Sequence, residues 1–105
     1  MYIAQYIREN GKEFQDLCMQ FQVKSLYAFG SSTNENFDQQ KSDIDLVIEL
    51  KSEDPLQRGE ILIQIWDKLE SFFKRRVDLI TLSSLKNPIL KKNIDNNKVL
   101  IYENS

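Results

Sequence analysis

The sequence predicts an α/β fold: one domain spanning residues 1–105, with a mixed β-sheet of about four strands covered by helices. Three observations carry this expectation. Apolar residues recur at helical spacing over residues 1–21 and 55–74, four short strand-like runs begin near residues 26, 43, 77 and 99, and Gly, Pro or Asn punctuates the joins. The resulting order is helix, strand, loop, strand, helix, strand, helix, strand.

The first helical stretch reads in two pieces. Ile3, Tyr6 and Ile7 form one stripe, Phe14, Leu17, Cys18 and Phe21 the next, and Asn10 with Glu13 could form a capping box between them. The run 26–29 is short and apolar and closes on Gly30, as expected of a buried strand. Residues 31–42 are polar and read as a loop. From Asp43 to Leu50 the pattern alternates, so Ile44, Leu46, Ile48 and Leu50 share one face while Asp43, Asp45, Val47 and Glu49 share the other.

Asp54 followed by Pro55 is a strong helix start, because Asp accepts from free amides and Pro suits the first helical position. The helix should run to about residue 74, with Leu62, Ile65, Trp66, Leu69 and Phe73 facing the sheet and Trp66 in the core. Residues 77–82 make a third strand. Asn87-Pro88 starts a short helix carrying Ile89, Leu90 and Ile94, and residues 99–102 make the last strand.

Composition narrows the chemistry. The chain is 41% apolar and 10% aromatic, enough for one packed core. Its 14 basic against 16 acidic residues give a net charge of −2 with no long run of either sign, so general nucleic-acid binding and an anionic membrane surface are not indicated. No stretch is long and apolar enough to span a membrane, the N-terminus lacks the layout of a signal peptide, and a cytoplasmic location is expected. The single cysteine, Cys18, reads as a buried, inert thiol. There is no histidine, which removes imidazole bases, Ser-His-Asp triads and His-built zinc sites. An enzyme built from this chain must rely on carboxylates, hydroxyls, amines or a hard metal ion.

The chemically informative segment is Phe29-Gly30-Ser31 followed by Ser42-Asp43-Ile44-Asp45-Leu46. Gly30 ends a strand where backbone can approach a ligand closely, and a serine after it offers a hydroxyl and an amide to phosphate oxygens. Asp43 and Asp45, two apart on a strand, project to the same face, where paired anions call for a cation. Asp78 sits between apolar neighbours, where an aspartate is otherwise disfavoured, and joins the pair if its strand lies beside theirs. Three converging carboxylates suit metal-assisted phosphoryl transfer. Glu49 reads as solvated or salt-bridged, and Lys91 and Lys92 as a solvated face.

The segment from Tyr27 to Leu50, with Val77-Asp78-Leu79-Ile80 downstream, resembles the polymerase-beta-like nucleotidyltransferase superfamily in its minimal nucleotidyltransferase branch. The resemblance covers nearly the whole chain and implies a nucleotidyltransferase-like fold. It also implies Gly30, Ser31 and Ser42 as nucleotide-binding positions, and Asp43, Asp45 and Asp78 as metal ligands and catalytic carboxylates. The cofactor would be Mg²⁺, two ions, with Mn²⁺ able to substitute.

The implied donor is ATP or another NTP, and the implied partner a helical protein of the HEPN toxin class, for which this chain would be the antitoxin. A homo-oligomer is compatible with the resemblance. Many members carry an Arg after the Gly-Ser pair, where this chain has Ser32-Thr33-Asn34-Glu35-Asn36, leaving Lys41 as the only cation in the loop. Arg75 and Arg76 could supply charge from outside it, although basic residues in a last helical turn ordinarily serve the helix dipole. Two other readings follow: a nucleotidyltransferase-fold binding module that neutralises a partner by contact, and a small-molecule transferase acting on an antibiotic hydroxyl.

Overall fold

In the computed structural model, residues 2–30 and 43–104 are described. The chain begins with two helices, α1 (Tyr2–Glu9) and α2 (Gly11–Gln20), followed by strand β1 (Val23–Ala28). Strand β2 (Ile44–Leu50), the long helix α3 (Pro55–Phe73) and strand β3 (Val77–Ile80) come next. A 3-10 turn at Leu82–Ser84 leads to helix α4 (Pro88–Asn97) and strand β4 (Val99–Glu103).

The sheet order is β3-β2-β1-β4, with β1 antiparallel to both β2 and β4 and β2 parallel to β3. It is therefore mixed. The parallel pair arises because α3 carries the chain back across the sheet between β2 and β3, the usual connection for parallel strands.

Register decides which side chains share a face. Leu26 opposes Ile48 and Ala28 opposes Leu46 across β1 and β2, while Ile44 opposes Val77 and Leu46 opposes Leu79 across β2 and β3. All seven are buried in one cluster with Phe14, Cys18, Ile65, Leu69, Phe72 and Phe73 from the helices. This is the face that the first three helices cover. The opposite face carries Tyr27 across from Val47 and Asp45 beside Asp78.

The alternation read over residues 43–50 is thus realised, with Val47 fully buried on the second face. On that face the Lys98 ammonium stacks over the Tyr27 ring at 4.2 Å and is paired with Asp95 at 2.7 Å.

Local signals explain the helix starts. The Asp54 carboxylate accepts from the Leu56 amide at 3.1 Å, and the Asn87 side chain accepts from Ile89 and Leu90 at 3.0 and 3.3 Å. Each stands just before a proline at the first turn.

Four expectations need correction. The capping box at Asn10 is absent: its side chain makes no cap bond and instead donates backward to the Tyr6 carbonyl at 3.0 Å. Trp66 is 38% exposed, at the rim of the sheet and outside the core. Only Ile94 of the α4 stripe is buried, while Ile89 and Leu90 face outward. Finally, α3 stops at Phe73 with Lys74 in the left-handed region (φ 57°), so Arg75 and Arg76 follow the helix and do not belong to its last turn.

Candidate active site

Strand β1 delivers Gly30 to the site. Beyond Ala28 the chain stays paired, with the Phe29 amide donating to the Asp45 carbonyl at 3.0 Å. Gly30 then turns with φ +63°. A Cβ placed on it would stand 3.0 Å from the Asp45 Oδ2 atom. Both the backbone conformation and the close approach require glycine here.

Strand β2 supplies the aspartates. The Ile44 amide donates to the Arg76 carbonyl at 3.0 Å, which fixes the start of β2 against the entry to β3. In the resulting register Asp45 lies directly beside Asp78, as Ile44 does beside Val77. Asp43 stands exposed one residue before the strand, two positions from Asp45. The condition attached to Asp78, that its strand lie next to the Asp43–Asp45 strand, is met.

The electrostatics agree with this crowding. The Asp45 carboxyl is held above the ordinary carboxylate range, first by burial and then by the negative charges of Asp78 and Asp43. Among the described residues, no group of three or more Asp, Glu, Cys or His side chains stands in the arrangement of a ready-made ion site. The donor chemistry still fits a hard divalent cation: Asp45 and Asp78 bring carboxylates side by side on adjacent strands. Ser31, Ser42 and Lys41 lie outside the described residues.

Two residues that the sequence does not assign to the site attach to it: Trp66, expected in the core, and Glu70, not singled out. The Trp66 indole N–H donates to the Val77 carbonyl at 2.6 Å, and the Val77 amide donates to Glu70 Oε2 at 3.0 Å. Both come from α3, four residues apart, and both grip the residue immediately before Asp78. The four-residue spacing and the strand were both visible in the sequence, but the contact between them was not.

Arg75, considered as a source of positive charge, has its guanidinium over the Tyr2 ring at 5.4 Å, on the α1 side. Arg76 is exposed. No helix among the described residues is long and apolar enough to cross a membrane.

Comparison with known proteins gives a consistent result. The model of the nucleotidyltransferase domain family matches residues 12–101. MJ0126 of Methanocaldococcus jannaschii, provisionally named a protein adenylyltransferase, is 32% identical over 99 residues, covering 94% of each chain. A solved structure provisionally described as a minimal nucleotidyltransferase superposes with a TM-score of 0.63 at 18% identity, covering 91% of this chain and 93% of that one. A Shewanella oneidensis complex of a tri-AMPylated HEPN toxin with an MNT antitoxin gives 0.53 at 20% identity, covering 92% and 72%. The two solved structures share the fold.

Proposed function

The chain belongs to the nucleotidyltransferase domain family, and from that membership we propose that it transfers AMP from ATP to a hydroxyl group on a partner protein. The observation that carries the proposal is the register of β2 on β3, which sets Asp45 beside Asp78 with Gly30 against the Asp45 carboxylate. In this reading the backbone at Gly30 serves phosphate and the neighbouring carboxylates serve a cation.

In this reading Asp43, Asp45 and Asp78 hold Mg²⁺, and Gly30 with Ser31 and Ser42 holds the triphosphate. Bound Mg²⁺, replaceable by Mn²⁺, supplies positive charge against the triphosphate and the departing pyrophosphate. The acceptor oxygen attacks the α-phosphorus, the bond from that phosphorus to the bridging oxygen breaks, and pyrophosphate leaves. Asp78 on β3, the more exposed of the Asp45–Asp78 pair, takes the acceptor proton.

A protein acceptor suits the size of the chain. The described residues are taken up by the sheet and its covering helices. The acceptor oxygen must still be held about 3 Å from the phosphorus, so a docked partner has to provide the positioning. Adenylylation is the activity in the name of MJ0126, and a modified HEPN partner is present in the Shewanella oneidensis complex. The first likeness supports a protein acceptor, and the second supports a HEPN-type partner with this chain as its antitoxin.

The proposal is tested by titrating ATP into the protein calorimetrically with Mg²⁺ and again with EDTA. Binding should be markedly tighter with Mg²⁺, and Asp43→Asn should remove the difference. Equal affinity in both conditions, or no binding in either, would favour a fold used only as a binding module.

A further inference from the structure

Strand β3 is an edge of the sheet, and its outward main-chain groups at Val77 are met by side chains from α3. Because the Arg76 carbonyl accepts from Ile44 on β2, the next residue, Val77, points its amide and carbonyl away from β2. Glu70 accepts from that amide at 3.0 Å and Trp66 donates to that carbonyl at 2.6 Å. The two bonds replace those that a neighbouring strand would make, and they fall one residue before Asp78.

We infer that Trp66 and Glu70 are positioning residues for the transfer site: together they clamp Val77 and so fix Asp78 beside Asp45. This rests on the reading of Asp45 and Asp78 as the carboxylates of a nucleotidyltransferase. The physical need is clear, since Asp45 and Asp78 are like charges on adjacent strands, and β3 is only four residues long. Repulsion pushes β3 outward, where no further strand among the described residues is paired to it. The clamp pulls from the helix side, and Val77, buried at 4% exposure, anchors the same residue in the core.

Trp66 is thereby explained. Its N–H reaches over the rim of the sheet to a backbone carbonyl while its ring stays partly exposed. Glu70 holds its bond as an acceptor, so glutamine can replace it in that role and alanine cannot.

A simpler alternative is that the two side chains only blunt a sheet edge against pairing with other chains. Four variants separate these roles: Glu70→Ala, Glu70→Gln, Trp66→Phe, and Asn87→Ala as a control that removes the α4 cap and neither clamp bond. Two quantities are measured in each, the amide hydrogen exchange of Val77 and Asp78, and ATP affinity with Mg²⁺ and with EDTA.

Positioning requires Glu70→Ala and Trp66→Phe to speed exchange at Asp78 as well as Val77, and to weaken Mg²⁺-dependent ATP binding roughly tenfold, the scale typical of groups that orient metal ligands. Glu70→Gln should restore both quantities, and Asn87→Ala should change neither. Self-association of Glu70→Ala with unchanged Asp78 exchange and unchanged ATP affinity would overturn the inference in favour of edge protection. If the unmodified protein binds no ATP with Mg²⁺, the transfer reading itself has failed. Asp78 exchange then decides alone whether the clamp holds that residue.

Discussion

Gly30 backs directly onto Asp45: a methyl group at residue 30 would meet the Asp45 Oδ2 atom at 3.0 Å, on a backbone already turned to φ +63°. The strand that ends in Gly30 and the strand that carries Asp45 are locked together one residue earlier by the bond from the Phe29 amide to the Asp45 carbonyl. Neither partner can shift without the other. Gly30→Ala should therefore cost about 1–2 kcal/mol of stability from the left-handed backbone. It should also weaken nucleotide binding, because the new methyl displaces the carboxylate. Chemical denaturation and ATP titration on the same variant check both effects.

Asp45→Asn should separate stability from activity. The folded-state pKa of Asp45 is raised, so the native state holds that proton more tightly than the unfolded chain does. By linkage, stability falls as pH rises from the ordinary carboxylate range through the raised folded value, and the ionised residue is a net cost above it. The asparagine variant escapes this cost. It should be at least as stable as the unmodified protein at pH 7, with the advantage shrinking as pH is lowered through the carboxylate range, and it should have no transfer activity. Thermal melts across pH would expose a structural role for the carboxylate if the variant instead unfolded.

These two residues mark how far the site was legible. An aspartate pair two apart on an alternating strand is a local pattern, and so is a glycine that closes an apolar run. Asp78 was legible as an anomaly among apolar neighbours, but its place beside Asp45 depends on the pairing of β2 with β3, which no local signal states. Tertiary context also decided Trp66. Its spacing with Ile65 and Leu69 put it on a core stripe, yet its N–H is used at the rim of the sheet.

Phe72 escaped the stripe altogether. It is buried because α1 and α2 close over the end of α3, bringing Tyr6 and Phe14 each within 5.3 Å of its ring centroid. The Asn10 cap failed for a similar reason: α1 runs so closely into α2 that the Tyr6 carbonyl competes for the side chain.

Lys74 offers a test of the α3 terminus. It takes φ 57° where the helix ends, a conformation that glycine adopts without a Cβ penalty. Lys74→Gly should stabilise the domain by about 0.5–1 kcal/mol, less the extra freedom that glycine gives the unfolded chain. A denaturation midpoint moving downward would indicate that the Lys74 side chain makes a compensating contact.

Cys18 should be silent in the native protein. Burial raises its thiol pKa to about 12, so almost no thiolate is present at pH 8. A thiol-reactive dye should label it only after denaturation, at a rate that follows unfolding. Rapid labelling of the native protein would mean that the α2 face opens readily to solvent.

The most direct test of the proposed transfer is the intact mass of a helical partner protein copurified with this chain and incubated with ATP and Mg²⁺. The expected result is a gain of one or more AMP units on the partner, abolished by Asp43→Asn and by EDTA. A stable complex whose partner keeps an unchanged mass with active nucleotide, metal and unmodified chain all present would contradict the transfer.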